Sequence, residues 1–110
     1  MAAPFFVVVT TVEKRSDADR LAQSLVERGL AACAQIGAID SVYAWQGAVE
    51  RSAEFRILFK VAAGACEAAE RAIRAMHPYQ LPAIHAIAVE RADASYAEWV
   101  TANSRPESDL

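Results

Sequence analysis

Apolar residues occupy nearly every position close to the start of the chain. The segment from Pro4 to Val12 carries β-branched and aromatic residues at both odd and even positions, a pattern typical of a strand that is covered on both faces. A helical pattern follows, in which Ser16 is the predicted N-cap, Leu21 and Leu25 share one face, and Gly29 ends the helix. The chain is therefore predicted to open with a central strand and an amphipathic helix.

Two long strand patterns come next, joined by a short turn. The first runs from Ala31 to Trp45, with a bulge or bend expected at Gly37 and Asp40. Gln46-Gly47 is the predicted turn, and the residues from Val49 to Val61 alternate in character as a second strand. Arms of about 14 residues, at roughly 3.3 Å per residue, would span about 46 Å, whereas a domain of this size is only about 34 Å across. The hairpin tip is therefore expected to project beyond its own domain.

The second half of the chain predicts a helix, a strand and a short terminal helix. Ile73 and Met76 lie on one apolar helical face, and Pro78 ends that helix. A fourth strand is predicted from Ile84 to Val89, and Asp93 is the predicted cap of the last helix. The order β-α-β-β-α-β with a short C-terminal helix predicts a ferredoxin-like α+β sandwich with an extended central hairpin, in which two helices cover one face of the sheet.

The face of this sheet that the two helices leave uncovered indicates a homo-oligomer. The first strand is apolar on both sides, and a lone two-stranded ribbon is at best marginally stable in water. Neighbouring copies of the chain would cover both features. The alternative is that bends at Gly37 and Asp40 shorten the ribbon and keep it on a monomer.

Composition narrows the classes of function. The 110 residues fit a single domain, 1–110, and the formal net charge of −3 gives no basic surface for nucleic acid. The apolar run from Phe5 to Val9 is too short to span a membrane and lacks the basic flank of a signal peptide, so no membrane partner and a cytoplasmic location are expected. Cys33 and Cys66 form no C-x-x-C pair and are expected to be reduced.

Motifs of known enzyme classes do not occur in the sequence. There is no Gly-rich phosphate loop, no G-x-S-x-G and no H-E-x-x-H, so the chain is not expected to be an enzyme. Phe55 and Phe59 alternate on the third strand as the base-stacking aromatics of an RNA-binding domain would, but the acidic composition argues against that alternative.

Candidate metal-binding side chains follow the second helix. His77 lies at its C-terminal end, where the negative end of the helix dipole favours a cation or metal ion. Met76 would add a soft sulfur for Cu(I), although packing in the core is the alternative, and Cys33 is the better candidate of the two cysteines.

Aromatic and charged residues are predicted to share one face of the hairpin. If the turn pairs Trp45 with Ala48, that face carries both aromatic and charged side chains. They would form either the wall of a ligand or metal cleft between subunits or simply the subunit interface. The residues expected in this cleft or interface are Tyr43, Trp45, Glu54, Lys60, Tyr79 and Trp99.

Six segments between about Phe6 and Trp99 occur in an order that resembles the CutA divalent-cation-tolerance family: VVVTT, ERGLAACAQI, SVYAWQGAVE, FRILFK, HPYQLPAI and SYAEWV. The resemblance implies a homotrimer shaped like the PII signalling proteins, with clefts between subunits, and a link to tolerance of copper and other divalent cations. It places Thr10, Met76 and His77 at the copper-ligand positions proposed for one branch of that family. Of those ligands this chain keeps only His77, and Ala83 stands where the family usually has a glutamate.

Two functions remain open. The first is a trimeric metal-response protein that binds copper or another divalent cation, with His77 as its first ligand and Cys33 or Met76 in support. The second is a PII-like regulatory module that senses a small metabolite or acts as a protein-interaction scaffold.

Overall fold

The computed structural model describes residues 3–107, which form one sheet, three α-helices and a short 3-10 helix. The elements in chain order are β1 Phe6–Val12, α1 Arg15–Glu27, β2 Cys33–Trp45, β3 Ala48–Val61, the 3-10 helix Ala63–Ala65, α2 Cys66–Met76, β4 Ile84–Ala88 and α3 Ala94–Ala102. The strands pair in the order β2-β3-β1-β4, and every neighbouring pair is antiparallel. The predicted ferredoxin-like α+β architecture is confirmed.

The main core lies between the two long helices and one face of the sheet. Val8 and Val12 of β1 point into it, and they meet Leu21 and Leu25 of α1 and Ile73 of α2, all fully buried. Phe59 is fully buried in the same core and Phe55 packs against it. Neither phenylalanine is available to stack on a base.

The opposite face of the sheet is covered at one end by the chain itself. Phe5, Ala32 and Val100 form a second buried cluster, against which Val7 and Tyr96 pack, and we call this the root cluster. Asp93 caps α3 as predicted, because its Oδ2 accepts the backbone N–H of Tyr96 at 3.1 Å. The short terminal helix thus supplies part of the cover that the two-sided apolar pattern of β1 requires.

The other end of that face continues into the long hairpin, which projects from the domain. Residues 42–50 are all exposed, and the described chain measures 44 × 31 × 20 Å. Its long axis exceeds the roughly 34 Å expected for a compact globule of this length. We call the projecting part, residues 40–53, the ribbon.

β2 contains no bulge or break in pairing at Gly37 or Asp40, so the predicted interruption is wrong. Pairing of β2 with β3 is continuous from Cys33 with Lys60 to Trp45 with Ala48. Glycine in a strand marks a bulge only where one strand carries an extra residue, and here the two arms match residue for residue. The alternative of a shortened ribbon fails with it.

Several predicted element boundaries also need correction by one or two residues. β1 begins at Phe6 and not at Pro4, and β2 begins at Cys33 and not at Ala31. α1 begins one residue before Ser16, and Lys14, which makes no side-chain cap, occupies the N-cap position. β4 ends at Ala88, one residue earlier than predicted. Gly29 does follow α1, with a φ of 73° that favours glycine.

The residues after α3 are tied to the start of β2. Ser104, 2% exposed, accepts the backbone N–H of Ala62 at 2.8 Å and donates to the carbonyl of Leu30 at 2.6 Å. Arg28 makes two hydrogen bonds to Glu107, at 2.6 and 2.7 Å, and these raise the pKa of the guanidinium and lower that of the carboxyl.

No helix among residues 3–107 is long and apolar enough to cross a membrane.

Candidate functional site

The turn at the ribbon tip sets the register of the candidate site. Gln46 and Gly47 both have positive φ, 49° and 80°, as a two-residue type I′ hairpin turn requires. Trp45 therefore pairs with Ala48 and Tyr43 with Glu50, which confirms the predicted register. Because side chains alternate between faces, Tyr43 and Trp45 lie on the same face as Glu54.

His77 organises the loop that runs beside this face. Pro78 ends α2, so the histidine backbone is extended, with a ψ of 135°. The ring Nε2 lies 2.9 Å from the carbonyl oxygen of Thr11, and Nδ1 accepts the backbone N–H of Tyr79 at 3.1 Å. Nδ1 is therefore unprotonated and Nε2–H is the donor. Burial lowers the pKa of the imidazole, in keeping with a neutral ring.

Tyr79 connects the loop after α2 to strand β3. Its ring packs edge-on against His77 with centroids 4.9 Å apart, and its hydroxyl donates to Oε2 of Glu54 at 2.7 Å. Burial and the adjacent Glu54 carboxylate both raise the pKa of the Tyr79 phenol, which therefore stays protonated. A charge-assisted hydrogen bond thus joins the loop to β3.

These elements enclose a cleft of about 830 Å³, which we call the ribbon cleft. β1 and the residue after it form its floor, the ribbon forms one wall, and the loop after α2 forms the other. The lining residues are Thr11, Glu13, Asp40, Ser41, Val42, Tyr43, Ala44, Trp45, Ser52, Glu54, Tyr79, Gln80, Leu81 and Ala83.

Two of the six residues expected in a cleft or interface lie elsewhere. Lys60 and Trp99 are at the root end of the same sheet face, where the Lys60 Nζ is 3.2 Å from the hydroxyl of Tyr96 and 5.5 Å from its ring centroid. Trp99 stacks on Tyr96 with centroids 5.9 Å apart. The hairpin face predicted from sequence therefore contributes to two separate regions. Tyr43, Trp45 and Glu54 line the ribbon cleft, whereas Lys60 lies beside Tyr96.

The three side chains proposed as metal ligands are not brought together within the chain. Cys33 pairs with Lys60, which in turn pairs with Val7 of β1, whereas His77 contacts Thr11, four residues or roughly 13 Å further along that strand. The Sδ of Met76 lies 3.7 Å from Nη1 of Arg28. Among residues 3–107, no group of three histidine, cysteine, aspartate or glutamate side chains could hold a metal ion.

Thr10 and Cys66 both have structural contacts. Thr10 is fully buried, and its hydroxyl donates to the carbonyl of Ala83 at 2.7 Å. This bond fixes the end of the loop beside β1. Cys66 packs against the main core, and burial together with Glu70 and Glu67 raises its thiol pKa, so this cysteine stays protonated.

Several cleft residues were not identified from sequence, including Glu13, Asp40, Ser52 and Leu81. Glu13 could have been found, because it directly follows the central strand at the edge where the cleft opens. For Asp40, three residues after Gly37 within a strand pattern, the sequence predicts a bend and not a cleft residue. Leu81, 71% exposed, has no periodic pattern that would mark it.

A family model described as CutA1 divalent ion tolerance protein matches residues 6–103. The divalent-cation tolerance protein CutA of Thermus thermophilus is 34% identical over 99 residues, a match that covers 89% of this chain and 96% of that protein. These matches include the ribbon, the loop after α2 and α3.

Solved structures with the same fold include three at similar identity. CutA1 from Shewanella sp. SIB1 has a TM-score of 0.88 at 32% identity, covering 94% of this chain and 98% of that one. The PII-like protein CutA from Nostoc sp. PCC 7120, in apo form, has a TM-score of 0.86 at 27% identity and covers 91% and 97%. The protein from Archaeoglobus fulgidus, described as periplasmic, has a TM-score of 0.84 at 31% identity and covers 87% and 94%.

Proposed function

The chain belongs to the CutA1 divalent ion tolerance family, and we propose that it acts in divalent-cation tolerance as a homotrimer that binds the metal ion, copper first among those to be tested, between its subunits. The proposal treats residues 1–110 as a single domain and assigns it no catalytic step.

The observation that carries the proposal is the ribbon. Its residues 42–50 are all exposed, although four of them carry large apolar or aromatic side chains. These are Val42, Tyr43, Trp45 and Val49, which are 41 to 77% exposed. A lone two-stranded ribbon with such side chains in water is marginally stable. Val42 and Val49 lie on the ribbon face opposite Tyr43 and Trp45, and packing of that face against neighbouring copies would remove their apolar surface from water.

Metal binding between subunits agrees with the ligand arrangement in one chain. No cluster of three ligating side chains occurs among the described residues of a single copy, so a metal site needs groups from more than one copy or a rearranged loop. His77 is the ligand we propose first, with Cys33 and Met76 as further candidates. Because both ring nitrogens of His77 hold backbone groups, a metal ion on this ring would displace the Tyr79 N–H or the Thr11 carbonyl.

The experiment combines native mass with metal titration. We expect a trimer by sedimentation equilibrium, binding of Cu(II) or Cu(I) by calorimetry, and at least tenfold weaker binding in His77→Ala. His85→Ala is the matched control, because His85 is an exposed histidine on β4. Unchanged binding in His77→Ala, or equal loss in both variants, would exclude the assignment. A monomer in solution would exclude the trimer.

Displacement of the loop can be tested in the same samples. If the metal binds His77 at Nδ1, the backbone N–H resonance of Tyr79 should shift on titration because that hydrogen bond is lost. The N–H resonance of Tyr96, which bonds to Asp93, is the control and should not move.

Cellular location is also part of the proposal. The sequence predicts the cytoplasm, whereas the Archaeoglobus structure is described as periplasmic. Fractionation of cells that express the full native gene would decide between the two, since recovery in the periplasmic fraction would exclude a cytoplasmic role.

A PII-like sensor of a small metabolite is the second candidate function. The size of the ribbon cleft favours it, because about 830 Å³ lies within the range of about 300 to 1,000 Å³ typical of small-molecule sites and far exceeds what a single metal ion fills. A thermal-shift screen of nucleotides and amino acids tests it, because a ligand that binds only the folded state raises the melting temperature.

A further inference from the structure

We propose that the ribbon cleft binds a small organic cation, an ammonium or guanidinium group carried on an apolar body. This inference rests on the second candidate function and names the class of its ligand. The cleft meets three requirements of such a ligand: a negative lining, a fixed acceptor for the charged group and aromatic walls.

The charge of the lining has one sign. Glu13, Asp40 and Glu54 line the cleft, and its lining residues include no lysine, arginine or histidine. A concave surface lined by charges of one sign concentrates ions of the opposite sign. Anionic ligands such as nucleotides would meet the carboxyl groups of Glu13 and Glu54 and no basic side chain of the lining, so they are disfavoured.

Glu54 is the fixed acceptor. It is 8% exposed, and its Oε2 is held by the Tyr79 hydroxyl at 2.7 Å. Its second oxygen, Oε1, has no hydrogen bond from the described residues. No buried side-chain oxygen in residues 3–107 lacks a partner, so Oε1 reaches the open space, which is the cleft that Glu54 lines. A carboxylate held at one oxygen and free at the other is preorganised to accept N–H groups from a cation.

The aromatic walls distinguish an organic cation from a bare metal ion. Tyr43 and Trp45 are 42 and 41% exposed and line the cleft, and the faces of aromatic rings attract ammonium and guanidinium groups. Leu81 adds apolar surface for the body of the ligand. A metal ion would gain nothing from these side chains.

The test uses agmatine, spermidine and tetramethylammonium as probes, with glutamate as an anionic control, in calorimetric titrations of the full chain without added metal. We expect at least one of the three cations to bind, with affinity falling as salt is raised, and glutamate not to bind. Glu54→Gln should weaken that binding at least tenfold, while an amide oxygen can still accept the Tyr79 hydroxyl, so the loop contact is retained. Glu50→Gln is the matched control, because Glu50 lies on the same face of β3 but outside the cleft lining. Trp45→Leu should also weaken binding.

Three outcomes would overturn the inference. These are no binding of any cation at millimolar concentration, equal binding by the native chain and Glu54→Gln, and a change of oligomer mass in Glu54→Gln with no cation binding by the native chain. The last would mean that a basic residue of a neighbouring copy occupies the cleft. Failure here is distinguishable from failure of the metal proposal, since copper titrations of the same samples report on His77 and not on Glu54.

Discussion

The two ends of the helix-free face of the sheet are covered in opposite ways. At the root end, α3 folds back and buries Phe5 and Val100 to 4 and 0% exposure. At the ribbon end, Tyr43 and Trp45 stay more than 40% exposed, and Glu54 and Tyr79 make a part-buried hydrogen bond. Both ends belong to the same pair of strands.

The difference separates what one chain completes by itself from what it leaves for other molecules. The apolar side chains of the root cluster and the two hydrogen bonds of Ser104 stabilise the root end from within. The ribbon end instead offers aromatic rings, carboxyl groups and a cleft. We therefore expect substitutions at the root to change folding and substitutions at the ribbon to change association and binding.

The largest effect is expected from Phe5→Ala at the root. Removing a buried aromatic side chain destabilises a protein by about 3 to 5 kcal/mol, measured here by urea unfolding at fixed protein concentration. Val49→Ala at the ribbon tip is the comparison, because Val49 is 77% exposed in one chain. In a monomer its effect should stay within about 0.5 kcal/mol, whereas burial by another copy in the proposed trimer should raise the loss above about 1 kcal/mol. A loss below about 0.5 kcal/mol would count against burial of the tip by a neighbouring copy.

Ser104→Ala should follow in size. It removes the acceptor of the Ala62 N–H and the donor to the Leu30 carbonyl, and each buried group left unpaired costs about 1 to 3 kcal/mol. We expect a loss of about 2 to 4 kcal/mol by the same measurement. Ser95→Ala, at an exposed position of α3, should change stability by less than about 0.5 kcal/mol. Equal effects of the two would contradict the role of Ser104.

Tyr79→Phe probes the strongest polar contact of the ribbon end. A hydrogen bond to a charged group contributes about 1.5 to 3 kcal/mol, and because this one is only partly buried we expect a loss near the lower figure. Tyr43→Phe is the control, since the Tyr43 hydroxyl accepts only a 3.5 Å bond from Ser52. A smaller effect at Tyr79 than at Tyr43 would show that Glu54 does not hold the loop.

Gly47→Ala should have a smaller effect on unfolding free energy. A side chain at φ 80° costs about 1 kcal/mol in backbone energy, although an added Cβ would touch nothing within 4 Å. Gly37→Ala, in the strand interior and also without a clash, should stabilise by about 0.5 kcal/mol. A stabilised Gly47→Ala variant would exclude the type I′ turn.

The smallest effect is a pH dependence that originates at His77. Its pKa is lower in the folded chain than in the unfolded one, so the unfolded state binds the extra proton and stability must fall as the pH drops below about 6.5. His77→Gln should reduce this slope between about pH 6.5 and pH 5, whereas His85→Gln should leave it in place. An unchanged slope in His77→Gln would show that another group carries the effect.

Much of the fold could be predicted because local pattern and global architecture agree. The two-sided apolar run of β1, the alternation of β3 and the Gln46-Gly47 turn each favour one conformation, and together they fix the order and register of the sheet. The prediction failed at Gly37 and Asp40, where residues that usually interrupt strands are tolerated because β3 pairs with them continuously. The prediction also failed at Ser16, which is a good capping residue but lies inside α1, because that helix begins at Arg15 with Lys14 at the N-cap position.

The candidate site was only partly predictable, because it depends on contacts between distant segments. The face shared by Tyr43, Trp45 and Glu54 follows from the turn and the period of two. The bonds of His77 to Thr11 and Tyr79 do not follow from any local pattern, because they depend on where the loop after α2 meets β1. The sequence pattern likewise could not separate Lys60 from Glu54, which share one face but lie at different ends of it.

The uninterrupted pairing of the two arms limits how the ribbon can vary in evolution. A residue inserted into one arm alone would create a bulge, so length should change by equal numbers in both arms. Removing one residue from each would exchange the two faces of the tip and turn Trp45 away from Glu54, whereas removing two from each would restore its side. Relatives that keep the cleft should therefore differ in ribbon length by multiples of four residues.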